Sequence, residues 1–530
     1  MSVRDGLPSW VRPEARMPLS GPQERMWLLD QVGDDQMPTN SPLAFRVHGP
    51  LDVAAMKDAV AGVRRRHDVL RTRYAMTASG PVQWVTSADD LDWSEVDLSG
   101  ETDPTCRITA DVLARFDLTS SDPLRVRVYH LGPDDHLLLV VTHHIVSDAR
   151  ADEILVRELA CHYRHAAFGT MMDLPELPVQ YTDYAVRESE AGAASGEDYW
   201  AAALAGVPVV RPPGQGGAGA SRVHHVVLPD ELVRAVGELA RACRVSPFMV
   251  LLAAFRLVLW RAWSQPDVVV GTPMSCRTTP EVQDLIGNFL VMVPLRTALQ
   301  PVGTFRDLVA RERATVLGAY VNQGALPQRV PPFSVTFSYE PDVPLLLDLG
   351  PGTAVEPHDL GGALVQYDLM VKMVGRRIEW AYRDEAVDGG AVVAWADEFL
   401  RVLGQVLGSP NEPLAGPAGA LPAEPQPETF EVTWVGNSEP EQEWTQVERI
   451  VVDLWEELIG TRPRRASDGF FELGGHSLSA ARLAFRLTEE LGVPVTVAQL
   501  LEHARLNEQA ELVEDLLRAE LGKLDPAEIN

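Results

Sequence analysis

The spacing of apolar and polar positions divides the chain into short alternating elements. Leu51 to Arg66 carries apolar residues at helical intervals, and His136 to Thr142, reading HLLLVVT, is a continuous apolar run suited to a buried strand. A helix is predicted after it: Ser147 and Asp148 are good N-terminal residues, and Ile154, Leu155, Leu159 and Tyr163 then recur on one face. Further along, Glu231 to Arg244 and Pro247 to Trp263 predict helices, and Asp267 to Gly271, Phe333 to Tyr339 and Ile378 to Tyr382 predict strands. A mixed α/β fold is expected for this part of the chain. From about Glu439 onward only helical periodicity appears, at Val447 to Leu458, Leu478 to Leu491 and Leu506 to Leu521, which predicts a small helical bundle.

Two stretches break these patterns. Arg211 to Ser221 reads RPPGQGGAGAS, and about Gly408 to Gln426 reads GSPNEPLAGPAGALPAEPQ; both have the composition of connectors. They leave two larger parts and a small C-terminal one, as expected for 530 residues when single domains run to roughly 100–200.

Composition narrows the function classes. A 46% hydrophobic and 23% charged chain is expected to be globular. A formal net charge of −29 repels phosphate backbones and anionic lipid headgroups, which argues against nucleic-acid and membrane partners. Four scattered cysteines (Cys106, Cys161, Cys243, Cys276) predict neither a disulfide framework nor a C-x-x-C site. The N-terminus lacks the apolar core of a secretory signal, and the longest apolar run, Phe248 to Leu259, is broken by Arg256 and falls short of the roughly 18 residues of a membrane span. The expected location is the cytoplasm.

Two motifs carry candidate chemistry. In Asp468 to Leu483, DGFFELGGHSLSAARL, Gly474 and Gly475 permit a free turn and Ser477 stands at the head of an amphipathic helix. The hydroxyl could merely cap that helix, or it could hold a phosphodiester, which a helix N-terminus favours. In His143-His144-Ile145-Val146-Ser147-Asp148 an imidazole stands beside a turn with a carboxylate four residues on. Such an imidazole could accept a proton from an attacking amine, could be packed polar structure at a strand end, or could ligate a metal with Asp148, although two ligands are too few. Asp148 could orient the imidazole, but an internal ion pair is preferred for a buried acid, with Arg277 as its candidate partner. The pair His224-His225 lacks an acid four residues on, where Pro229 stands after the second histidine, and is expected to be structural.

Residues 439–521 resemble a peptidyl carrier protein domain, because Phe470 to Leu478, FFELGGHSL, matches that family's attachment motif without a gap. The resemblance implies a four-helix bundle with 4'-phosphopantetheine attached at Ser477 by a phosphopantetheinyl transferase. Residues 17 to about 405 resemble a condensation domain of nonribosomal peptide synthetases, within the chloramphenicol-acetyltransferase-like acyltransferases. The resemblance rests on LSGPQERMW from Leu19, RHDVLRT from Arg66, HHIVSDA from His143, YTDYA from Tyr181 and IGNF from Ile286. It implies two lobes in a V, residues 17–190 and 191–407, after a lead-in at 1–16; a linker (408–438), the carrier domain and a tail (522–530) complete the division. It also makes His144 the catalytic histidine, supported by His143 and Asp148, with no metal.

The chain departs from the family pattern at Ala149, where the motif has glycine, and at Val291, where asparagine is usual; Asn322 to Pro327 matches only loosely. By family order the carrier presents the acceptor. The implied partners are therefore a donor carrier on another protein and, since no adenylation domain is recognisable, a loading enzyme in trans. Transfer from the Ser477 arm to a soluble amine or alcohol is the alternative, and a docking platform without catalysis is a third. Epimerisation and cyclisation are disfavoured by domain order and by the histidine pair, respectively.

Overall fold

The computed structural model describes residues 16–32, 39–87, 91–101, 103–191, 196–208, 210, 212, 221–300, 303–326, 333–340, 342, 345–360, 365–414 and 444–521. Most of both connectors, the lead-in, the tail and Pro327 lie outside the described residues.

The first lobe runs through β1 (Met17–Pro18), α1 (Gly21–Val32), β2 (Asn40–His48), α2 (Val53–Arg66), β3 (Thr72–Thr77), β4 (Gly80–Val85) and β5 (Asp92–Asp97). It continues with α3 (Thr105–Leu113), β6 (Leu124–Gly132), β7 (Asp135–His143), α4 (Ala149–Phe168) and α5 (Tyr181–Ala191). The second lobe has α6 (Glu197–Ala203), β8 (Ser221–Val227), α7 (Asp230–Cys243), α8 (Pro247–Trp263), β9 (Val269–Ser275), β10 (Leu290–Arg296) and α9 (Phe305–Val321). β11 (Val335–Glu340), β12 (Ala354–Pro357), β13 (Leu369–Val374), β14 (Arg377–Arg383) and α10 (Gly389–Gly408) follow. The last unit comprises α11 (Gln446–Ile459), α12 (Ser477–Leu491), α13 (Val497–Glu502) and α14 (Leu506–Leu521).

The HLLLVVT run becomes β7, the middle strand of a five-stranded sheet ordered β12-β2-β7-β6-β5. Leu137 to Val141 are all buried, so both faces of the strand are covered and the usual alternation disappears. The second lobe is built on a six-stranded sheet ordered β10-β9-β11-β13-β14-β8, with α8 buried against it. The long apolar run is thus the core helix of a lobe. Its interrupting Arg256 forms an ion pair with buried Glu312 and donates to the carbonyls of Val268 (2.6 Å) and Leu295 (2.8 Å). Among the described residues no single helix is long and apolar enough to cross a membrane.

Two connections tie the lobes together. β12, which follows β11 of the second lobe, pairs antiparallel with β2 of the first, Ala354 opposite His48 and Pro357 opposite Phe45. The segment from Cys276 to Phe289 also packs back onto the first lobe: the backbone N–H of Ile286 donates to His67 Nδ1 (3.3 Å), and the Tyr181 hydroxyl donates to the Asn288 carbonyl.

The four C-terminal helices close around Trp455, whose Nε1–H donates to Oε1 of buried Gln509 (3.0 Å) and whose ring meets Phe470 edge-on at 5.0 Å. α13 is short and carries too few apolar positions for periodicity to reveal it. This bundle rests on the first lobe through α12 against β3 and α13 against α1, with Arg482 Nη2 donating to the Ala78 carbonyl at 3.4 Å.

A methyl group at Gly287 would lie 2.0 Å from a carbon of the Tyr181 ring. Gly287→Ala should therefore separate the lobe contact and lower stability by roughly 1–3 kcal/mol, read as a fall in melting temperature of the full chain.

Candidate active site and carrier attachment site

β7 ends at His143, and a single 3-10 turn, His144–Val146, leads into α4. The two histidines meet opposite fates. His143 is fully buried; its Nδ1 accepts the Ile145 backbone N–H (3.0 Å), so its proton must sit on Nε2. Nε2 faces the Thr39 hydroxyl at 2.6 Å and Asp30 Oδ1 at 3.3 Å, and the Thr39 hydroxyl in turn donates to Asp30 (2.9 Å). Burial would raise the Asp30 carboxyl, but its bonds to His143 and Thr39 and the nearby charges outweigh this and hold it below the usual value. Every nitrogen of His143 is consumed in holding the strand end.

His144 keeps part of its surface accessible. Its backbone N–H donates to the Thr39 carbonyl (2.7 Å), which fixes the turn beneath it. Burial, foremost, and the adjacent His143 push the ring's pKa down, as does the charge of Lys372; a backbone hydrogen bond to Ser147 and the Asp148 charge push it up. The net shift is downward, so the imidazole is neutral at neutral pH and able to accept a proton.

Asp148 does not orient that ring. Oδ1 caps α4 by accepting the Ala151 N–H (2.7 Å), and Oδ2 accepts the Phe289 N–H (3.0 Å) from the second lobe. Arg277 Nη2 lies 3.0 Å from Oδ1, with both side chains buried. The same guanidinium donates to the carbonyls of Val282 (2.7 Å) and Leu285 (2.8 Å), and its carbon stands 4.0 Å from the centre of the Phe289 ring. Charge pairing, capping and a backbone hydrogen bond from the second lobe converge on one carboxylate, and its guanidinium partner also makes a cation–π contact with Phe289.

Sequence reasoning missed Asp30, Thr39 and Asp152. Asp152, one turn after Asp148 on α4, accepts from the Ser147 hydroxyl (2.5 Å) and weakly from Ser41 (3.5 Å). Burial, reinforced by Asp148 and opposed by the Ser147 hydrogen bond, pushes its carboxyl up to about 7. Its four-residue spacing from Asp148 was the available signal; Asp30 and Thr39 had none, since only folding brings them to His143. The departures fall in different places. Ala149 is exposed as the first residue of α4, whereas Val291 is buried in the second lobe's core. His225 lies opposite Glu379 on neighbouring strands. The described residues hold no group of three metal-ligating side chains.

At the other motif, the reading of Ser477 as the helix cap is corrected. His476 is the N-cap: its Nδ1 accepts the Ser479 N–H (3.3 Å), and Ser479 Oγ accepts the His476 N–H (2.8 Å). Ser477 is the first helical residue and exposed, which leaves its hydroxyl free of capping duty. Gly474 has φ +104°, and a methyl at Gly475 would lie 2.4 Å from the Phe470 ring and 2.5 Å from its carbonyl oxygen, so the turn before the serine needs both glycines. An exposed hydroxyl at the N-terminus of a 15-residue helix fits attachment of a phosphodiester.

Removing the Arg277 charge strands a buried carboxylate: Arg277→Ala should cost roughly 3–5 kcal/mol, measured by chemical denaturation. Because the Asp152 value of about 7 lies above 3.8, the ordinary aspartate value, Asp152 favours folding while protonated and opposes it as pH rises. Asp152→Asn should therefore melt higher than the parent at about pH 8 and equally near pH 4, in paired thermal scans.

Comparison with known proteins agrees with this geometry. Residues 14–328 match the Condensation domain family, and residues 449–513 match the Phosphopantetheine attachment site family. The phosphinothricin tripeptide synthetase PhsB of Streptomyces viridochromogenes is 32% identical over 76% of this chain, and the isonitrile lipopeptide synthase of Mycobacterium tuberculosis 34% identical over 58%. The chain spans only 37% and 13% of those relatives' lengths. Among solved structures, the X-domain from teicoplanin biosynthesis superposes with a TM-score of 0.66 at 25% identity, covering 76% of this chain and 97% of that one. The chain therefore belongs to the condensation-domain family and carries a C-terminal phosphopantetheine attachment domain.

Proposed function

We propose that this chain forms an amide bond between an acyl group delivered as a thioester on a partner's carrier and the amine of an acceptor held at Ser477. What supports this most is His144: an accessible, neutral imidazole whose neighbours His143 and Asp148 are both committed to holding it in place. When bound at Ser477, 4'-phosphopantetheine supplies a terminal thiol on which the acceptor is carried. His144 accepts the proton as the amine nitrogen adds to the donor carbonyl carbon. The new C–N bond forms, the donor C–S bond breaks, and the proton passes from His144 to the departing thiolate. Holding both reactants on carriers replaces a bimolecular encounter by a local one, so much of the acceleration is positioning.

On this proposal residues 17–190 and 191–407 are the two lobes, 408–438 the linker and 439–521 the carrier. The partners are an upstream donor carrier, a loading enzyme acting in trans and a phosphopantetheinyl transferase, all in the cytoplasm. A second reading is that the large domain chiefly receives another protein. The likeness to the teicoplanin X-domain favours it, since that X-domain has been solved in complex with OxyB.

Intact-mass spectrometry separates these readings. Treatment with a phosphopantetheinyl transferase should add one arm to the parent chain and none to Ser477→Ala. With loaded donor and acceptor carriers, His144→Ala should form amide roughly 100-fold more slowly or worse. Equal product from parent and His144→Ala would favour the receiving platform, and loss of the acyl group to an added soluble amine would favour release to a free nucleophile.

A further inference from the structure

The turn that carries His144 is anchored at both ends. At its start the His144 N–H is held by the Thr39 carbonyl (2.7 Å). At its end the Ser147 N–H closes the turn on the His144 carbonyl (3.4 Å), and the His144 ring hydrogen-bonds to the Ser147 backbone. Whatever fixes Ser147 therefore fixes the ring. Ser147 is buried, and its hydroxyl is given to Oδ1 of Asp152 at 2.5 Å. That bond has no part in capping, because Asp148 caps α4 and the Asp152 N–H already bonds to the Asp148 carbonyl (2.9 Å). The other Asp152 oxygen faces the Ser41 hydroxyl of β2 at 3.5 Å. The contacts run without a gap from one lobe to the reaction centre of the other. Arg277 and the Phe289 N–H hold Asp148, Asp148 begins α4, α4 carries Asp152, and Asp152 holds the residue that ends the turn of His144.

We propose that Asp152 is a positioning residue of the condensation reaction, which aims the His144 ring by holding the Ser147 hydroxyl. The proposal rests on the role of His144 as proton acceptor argued above. A base must stand within hydrogen-bond reach of the attacking amine, and a misplacement of about 1 Å can cost roughly 100-fold in rate. A carboxyl suits the task because it offers an oxygen to a donating hydroxyl whether or not it carries a proton. The charges that face both groups are Asp148 and Lys372, and His143 faces the ring as well. Where His144 titrates, below the ordinary histidine value, Asp152 still carries its proton. It therefore steers the ring by contact and not by charge.

Steady-state rates of the full chain with loaded carriers test the contact. Asp152→Ala and Ser147→Ala should each lower kcat roughly 10-fold or more and leave KM for the donor carrier within about 2-fold. The double variant should be no slower than either single one, because both remove the same bond. Asp152→Asn keeps an oxygen for the Ser147 hydroxyl and should restore kcat to within about 3-fold of the parent. Exchange of the histidine C2 proton, followed by mass spectrometry across pH, reads the titration of His144 without any substrate. Its midpoint should fall by roughly 0.5 pH unit in Asp152→Ala, as the ring loses its bond to the Ser147 backbone, and return in Asp152→Asn. An unchanged midpoint in Asp152→Ala, additive losses in the double variant, or an Asp152→Asn protein as slow as Asp152→Ala would each overturn the proposal. Should Asp152→Ala lose its helix content by circular dichroism, Ser147→Ala carries the same comparison of kcat and midpoint. Undiminished product from His144→Ala would remove the role of the histidine, while the exchange midpoint would still report whether Asp152 aims its ring.

Discussion

The carboxylate of Asp148 is where the architecture is decided. It begins a helix, neutralises a buried guanidinium and receives a backbone N–H from the other lobe. These bonds fix the end of β7 relative to the segment from Cys276 to Phe289, and everything asked of His144 depends on that register. A buried ion pair of this kind gives little net stability compared with an apolar replacement, but it specifies one geometry, because any other arrangement strands a charge. Arg277 serves the same end by reaching the carbonyls of Val282 and Leu285 as well.

A division of labour follows along six consecutive residues. His143 and Asp148 have lost all chemical freedom to hydrogen bonds, and the residue next to the first of them keeps its own. The arrangement at the carrier repeats the principle. His476 takes over the capping that a serine would ordinarily perform, and the neighbouring hydroxyl is released for modification. In both places an apparently reactive histidine is spent on backbone so that its neighbour is available.

Much of this was legible in the residues. The helix spacing of Leu51 to Arg66, the unbroken apolar run of β7 and the amphipathic carrier helices reflect local burial, which a periodic pattern encodes directly. The pairing of Asp148 with Arg277 was approachable because a buried acid needs a counter-charge. What escaped the sequence was made by long-range closure. Thr39 and Asp30 reach His143 only when β2 pairs with β7, and the Phe289 N–H reaches Asp148 only when the lobes meet. β12 likewise joins a sheet whose other strands lie more than 200 residues upstream, and four residues carry too little pattern to announce it.

That borrowed strand constrains how substrates arrive. With Ala354 to Pro357 laddered onto the first lobe's sheet edge, the halves are stitched at one margin as well as at the Asp148 contact. Swinging them apart like a clam shell would mean unzipping a β-ladder for every turnover. On the proposed function, slender cargo on a long flexible arm would thread end-on to His144 between halves that stay fastened.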